Sequence, residues 1–317
     1  NKALDPMDTD SVSPTPTDDK KEQQPSIEVG LFTHVGDPDV HPNEDRATAV
    51  LDLLGKYAPP ATQYKGTTNK QVFFCGVYDG HGGSICSEFL RKNLHINIAK
   101  ELYTQNYHEN MKDVLVKVFE ETEDTQCTKH APGSCCVTVM IKGRKVYCAD
   151  AGDSMAVLYE EVNGKMQMTK LNDRHGVEFS KHEIVRLKAA KAEVSEDYET
   201  EGAVIARDSR GYFIKALYPT RGFGDADFKE LVAPKPVVVA TPTGRGVGYE
   251  GAAVELKGKG PYWLLVGCDG LWDFMKEDQI TKAMFQKSTP QAMAEHLTRV
   301  AQGHPYSSYD DVTCIVC

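Results

Sequence analysis

Two nearly unbroken apolar runs, Val72 to Tyr78 and Tyr262 to Cys268, each stop at an Asp-Gly pair, Asp79-Gly80 and Asp269-Gly270. A run without polar alternation reads as a strand covered on both faces, so the chain must build layers around it. Two further carboxylates hold comparable places. Asp45 precedes a strand candidate starting near Ala47, and Asp310 lies just before the closing run Val312 to Val316. Each Asp-Gly alone would be an ordinary turn. Four carboxylates at the ends of core strands are a different matter, because buried Asp needs a partner and a divalent cation is one. Oxygen donors alone suit Mg²⁺ or Mn²⁺ better than zinc or copper.

The remaining elements fit around these strands. Ile27, Val29 and Leu31 alternate as in a half-buried strand, and Ala47 to Leu54 reads as another. Ile85, Cys86, Phe89, Leu90, Leu94 and Ile98 share one helical face; Met111, Val114, Leu115, Val118 and Phe119 share a second. Strand patterns resume at Cys135 to Ile141, Lys145 to Ala149, Met155 to Glu160 and Lys165 to Lys170, with a hairpin signal at Asn163-Gly164. Ser180 and Glu183 have capping-box spacing, and Thr289-Pro290 opens a helix running to about Gln302. Residues 190–214 are charged and irregular, an excursion on the surface. Val237 to Ala240 reads as a short strand, and the glycine-rich stretch 241–260 as a loop or ribbon. Helices arriving in pairs between β runs indicate an α+β domain of antiparallel sheets covered by helix pairs. Residues 1–26, polar and without apolar periodicity, read as a flexible tail, leaving 27–317 as one domain.

Composition narrows the function. A formal net charge of -10 leaves no basic stripe for nucleic acid. No run of some twenty apolar residues spans a membrane. Nine cysteines without CxxC pairing, most inside apolar runs, read as buried thiols of a reducing, intracellular compartment, cytoplasmic or nuclear. A monomer is expected.

The segments around the acids are specific. Val77-Tyr78-Asp79-Gly80-His81-Gly82-Gly83 and Val266-Gly267-Cys268-Asp269-Gly270-Leu271-Trp272-Asp273 resemble signature segments of the metal-dependent protein phosphatase 2C family. So do Asn43-Glu44-Asp45, Ala151-Gly152-Asp153-Ser154, Thr220-Arg221-Gly222-Phe223-Gly224-Asp225 and Tyr309-Asp310-Asp311-Val312-Thr313. They occur in the family's order, and the resemblance covers roughly residue 27 to the end. It implies a central sandwich of two antiparallel β-sheets flanked by pairs of helices. It also implies hydrolysis of phosphoserine and phosphothreonine in phosphoprotein substrates by a metal-activated water on two Mn²⁺ or Mg²⁺ ions. Asp79 would bridge the ions, with the Gly80 carbonyl on one and Asp269 and Asp310 on the other. Glu44 and Asp45 would ligate directly or through water. Asp153, with Asp273, matches the place of a third, weaker ion in some members. His81 would be the general acid. The excursion at 190–214 matches a flap beside the active site that helps select phosphoproteins.

The pattern also breaks. Members usually carry an arginine four residues before the Glu of the Glu-Asp pair to grip the phosphate, and here that position is Val40. Valine has neither charge nor donor. Asp311 stands where Asn is frequent and Met155 where Arg is frequent. Val40 is what a pseudophosphatase reading rests on: the same fold acting as a regulatory or phosphoprotein-binding module. An aspartyl-phosphate phosphotransferase would want Asp where His81 stands. A nucleotide site at Gly244-Arg245-Gly246-Val247-Gly248 lacks a following helix, so a surface ribbon fits better.

Overall fold

The computed structural model describes residues 26–58, 71–104, 110–125, 127–231, 238–258, 260–304 and 310–317. The expected tail lies outside them apart from Ser26, as do Val237 and Tyr309.

Two antiparallel sheets pack face to face. In the first, β1 (Gly30–His34), β13 (Val312–Val316), β12 (Tyr262–Gly267), β6 (Met155–Val162) and β7 (Lys165–Lys170) lie side by side in that order. In the second the order is β11 (Val254–Glu255), β5 (Lys145–Ala151), β4 (Gly133–Lys142), β3 (Val72–His81) and β2 (Arg46–Val50). A two-residue strand, β10 (Phe223–Gly224), adds to β4. Asn163, at φ 54°, and Gly164, at φ 74°, make the β6–β7 turn, as their left-handed tolerance allows.

The strand period of two distributes each run between two cores. On β3, Phe73, Cys75 and Val77 point between the sheets, where they meet Val137 and Val139 of β4 and Leu264, Val266 and Ile315 of the opposite sheet. Val72, Phe74 and Tyr78 point the other way, under α2 (Ile85–Thr104) and α3 (Met111–Thr125). The outer face of the first sheet is covered by α7 (Glu277–Met284) and α8 (Pro290–Gln302), with Leu265, Cys314 and Val316 beneath. Thr289 caps α8, its hydroxyl accepting from Ala292 N–H at 3.3 Å, with Pro290 in the first turn.

Several expectations need correction. Leu53 and Leu54 belong to a short helix, α1 (Leu53–Lys56), capped by Asp52, and not to the strand before it. Ile85 is exposed, while Cys86 and Leu90 are on the buried face of α2. Ser180 is the N-cap of α4 (Lys181–Ala189), but its side chain makes no cap hydrogen bond and Glu183 turns inward to a buried ion cluster. A capping box needs that Glu at the helix mouth; two guanidiniums outcompete the backbone N–H for it. The stretch 190–214 is not wholly irregular: β8 (Val204–Arg207) pairs with β9 (Phe213–Leu217) as a separate ribbon. Leu217, Val204 and Ala206 seat it on Leu187 of α4 and Phe228 of α5 (Ala226–Leu231).

Candidate metal centre

The parity that sends Cys75 and Val77 between the sheets sends Asp79 to the same face, at the mouth of the sandwich. Asp45 shares the parity of Ala47 and Ala49 on β2 and emerges beside it. From the other sheet, Asp269 is the first residue of a one-turn helix, α6 (Asp269–Trp272), directly after β12. Thr313 N–H donates to Cys268 Sγ at 3.1 Å, and Cys268 N–H to the Thr313 carbonyl at 3.1 Å. These bonds fasten the end of β12 to the start of β13 and bring Asp310 to the cleft. Asp153 arrives from the turn after β5. The Sγ of Cys135, which faces Asp79 across the β3–β4 ladder, donates to Asp153 Oδ1 at 3.1 Å.

Asp79, Asp153, Asp269 and Asp310 line one cleft of about 450 Å³ with Glu44, Gly80 and His81, and Asp45 lies buried behind Asp79. Carboxylate oxygens of Asp79, Asp153 and Asp269 lie within 4.8 Å of one another. Oxygens of Asp45 and Asp79 and the Cys268 sulfur lie equally close together, so Asp79 belongs to both groups. Burial first, with neighbouring carboxylates adding to it, pushes five aspartates up: Asp45 to about 7, Asp153 to about 6, Asp310 to about 8, and Asp79 and Asp269 in the same direction. Asp45 Oδ2 is buried and, among the described residues, accepts no hydrogen bond. A buried carboxylate oxygen without a donor, beside others that repel it, fits a cation and little else. The donors are hard oxygens, as Mn²⁺ and Mg²⁺ prefer.

Residues without an assigned role in the sequence hold the acids in place. Asp311 accepts from Gly36 N–H at 2.9 Å and Glu44 N–H at 2.7 Å, clamping the loop that presents Glu44. His175, pushed down to about 3 chiefly by burial, accepts at Nδ1 from Gly152 N–H at 3.1 Å, just before Asp153. Its Nε2 lies 2.8 Å from the Thr243 hydroxyl, which also meets Asp150 and Glu250. That inner cluster is a closed hydrogen-bond network. Arg174 places Nη1 2.6 Å from Asp273 Oδ1 and donates from Nε to the Asp153 carbonyl, so a fixed guanidinium already sits beside the pair matched to a third ion.

His81 is held by a partner that its own neighbourhood in the sequence gives no sign of. Asp225, fully buried, places both carboxylate oxygens 3.0–3.1 Å from His81 Nε2. Burial alone would push the imidazole down; the hydrogen bond and charge of Asp225 outweigh it and raise His81 above its usual 6.5. Asp225 sits at φ 52°, a left-handed conformation that Asp tolerates. Gly133 is required opposite, since a Cβ there would fall on His81 Nε2 and the Asp225 carboxylate. Cys75 lies between the sheets and lines no part of the cleft, and Leu271 and Trp272 pack in the outer core. Val40 is 65 % exposed in a turn and is not among the cleft residues, whereas His41 is.

The family model described as protein phosphatase 2C matches residues 43–305. The chain belongs to the protein phosphatase 2C family. Curated relatives include the rice (Oryza sativa subsp. japonica) "Probable protein phosphatase 2C 56", 25% identical over 260 residues, covering 79% of this chain and 63% of that protein. Another from rice, "Probable protein phosphatase 2C 41", is 26% identical over 294 residues, covering 87% and 82%. The chain spans only 63%, 60% and 44% of the rice proteins numbered 56, 55 and 52. Among solved structures, the serine-threonine phosphatase 2C from Toxoplasma gondii superposes with a TM-score of 0.68 at 19% identity, covering 92% of this chain and 95% of that one. A C. elegans sex determining protein gives 0.68 at 20% identity, covering 92% and 64%. These structures show the fold: an α+β phosphatase 2C sandwich. Among the described residues no helix is long and apolar enough to cross a membrane.

Proposed function

We propose that this family member hydrolyses phosphoserine and phosphothreonine in proteins, using two divalent cations held at the mouth of the sandwich, with 27–317 as its catalytic domain. The observation that carries the reading is Asp79, shared between two groups of ligand atoms, beside the orphaned Oδ2 of Asp45. Asp79, Asp45 and Asp269 would hold the ions, with Asp310, the Gly80 carbonyl and Glu44 completing the set and Asp153 at the margin. Bound Mn²⁺ or Mg²⁺ would supply an acidified water and neutralise charge on the phosphoryl oxygens. The chain's own residues do the rest. The leaving group is a serine or threonine alkoxide, which must be protonated as it departs. His81 carries that proton: Asp225 engages Nε2 and favours the protonated ring, leaving Nδ1 for transfer. The β8–β9 ribbon borders the cleft through Lys215 and Tyr218 and exposes Tyr212, Phe213 and Ile214, surface suited to the polypeptide around the phosphoresidue.

The test is hydrolysis of an aryl phosphate and a phosphopeptide by the purified protein with Mn²⁺, Mg²⁺ or EDTA, beside Asp269→Asn. Metal-dependent turnover that the variant lacks supports the reading. A folded protein that binds Mn²⁺ without turnover would instead be a regulatory pseudophosphatase.

A further inference from the structure

We propose that Lys215 of β9 is the side chain that grips the substrate phosphate in this cleft. The inference rests on the phosphatase reading for its substrate and on the following geometry for its residue.

A phosphomonoester dianion entering this cleft meets a wall of carboxylates, among them Glu44, Asp79, Asp269 and Asp310. Bound cations would balance those acids, but oxygens pointing away from the ions still need donors. Among the described residues lining the cleft, Lys215 is the only lysine or arginine. The nearby guanidiniums are committed elsewhere. Arg174 is held by Asp273 and the Asp153 carbonyl, and Arg221 by Glu183. His81 is held by Asp225, and Val40 lies outside the cleft wall.

Lys215 is placed and loosely held. Leu217, two residues on and on the same face of β9, is buried in the ribbon's small core and fixes the strand. The Lys215 ammonium lies 3.3 and 3.4 Å from the Asp227 oxygens, long contacts with a half-exposed carboxylate. A surface pair of that kind contributes little and is readily exchanged for a better anion. Lys215 and His81 line the same cleft, so the ammonium and the imidazole face one bound phosphate. An ammonium on a flexible stem asks for no fixed fork geometry, so it can serve where a bidentate guanidinium is missing.

The experiment titrates inorganic phosphate into the Mn²⁺-loaded protein by calorimetry and measures KM for a phosphopeptide. Lys215→Ala is expected to weaken phosphate binding and raise KM by about ten- to a hundredfold, with Mn²⁺ affinity unchanged, and Lys215→Arg to keep most of the affinity. Asp227→Ala severs the same tether without removing the cation and is expected to leave phosphate affinity intact or tighter. Unchanged phosphate affinity in Lys215→Ala overturns the proposal, as does equal weakening by Asp227→Ala, which would mean that the tether only positions the ribbon. If the wild type binds phosphate through Lys215 but hydrolyses no phosphoester, the phosphatase reading fails and the grip stands. If it turns over substrate and Lys215→Ala binds phosphate normally, the reverse holds.

Discussion

Replacing Glu183 with glutamine removes one charge from a place where two guanidiniums depend on it. Glu183 Oε1 accepts from Arg221 Nε at 3.0 Å and Nη2 at 2.7 Å; Oε2 accepts from Arg186 at 3.0 and 2.7 Å and from the Thr220 hydroxyl at 2.7 Å. Burial works against the carboxylate, but the hydrogen bonds and charges of Arg221 and Arg186 win and lower it from 4.5 to about 2. At about 1.4 kcal/mol per pH unit, that difference stabilises the folded state by about 3 kcal/mol at neutral pH. Glutamine keeps the shape but presents an amide to an arginine, and leaving a buried charge unpaired typically costs about 3–5 kcal/mol. Glu183→Gln should therefore lose about 3–5 kcal/mol in urea unfolding at pH 7. The sign in pH follows from the lowered value: the carboxylate's contribution is complete above 4.5 and drains away as the pH falls toward 2. The gap between wild type and variant should thus shrink by about half near pH 3. A loss below about 1 kcal/mol at pH 7, the range of an exposed pair, would refute the reasoning. So would a gap that ignores acidification. The cluster also pins Thr220 and Arg221, which lead directly to Phe223–Asp225 and so to the partner of His81.

Asp225→Asn keeps a residue that tolerates the left-handed backbone but removes the charge on His81. Turnover of a phosphopeptide should fall about ten- to a hundredfold, the worth of a charged hydrogen bond, and turnover of an aryl phosphate, whose leaving group needs no proton, much less; equal losses would argue against His81 as the acid. Arg174→Met keeps packing against Phe179, whose ring the guanidinium overlies at 4.0 Å, and frees Asp273. Calorimetry should then detect one more weakly bound Mn²⁺, and an unchanged stoichiometry would mean that the guanidinium is not blocking an ion. Phe213→Ser with Ile214→Ser, both exposed on the ribbon, should reduce activity on a phosphoprotein but spare an aryl phosphate. Parallel loss on both substrates would remove the ribbon from substrate choice.

The sequence by itself determined the family, the layered α+β class and the acids that gather at the cleft. It did so because those features are local: a strand buried on both faces shows as an unbroken apolar run, and a carboxylate at its end shows as Asp-Gly. Thr289-Pro290 and Asn163-Gly164 were legible for the same reason, since a cap and a tight turn each draw on neighbouring residues alone. Leu53 and Leu54 were misread because a one-turn helix is too short to display a period. Tertiary structure alone decided the pairings across long separations. His81 and Asp225 are 144 positions apart, and Glu44 and Asp311 are 267 apart. Glu183 had the spacing of a cap yet went to two arginines, because a buried charge follows the strongest donors that folding brings within reach, and these are not set by spacing along the chain. Lys215 gave no signal at all, since one lysine among Phe213, Ile214, Ala216 and Leu217 acquires its meaning only when the ribbon is set beside the cleft.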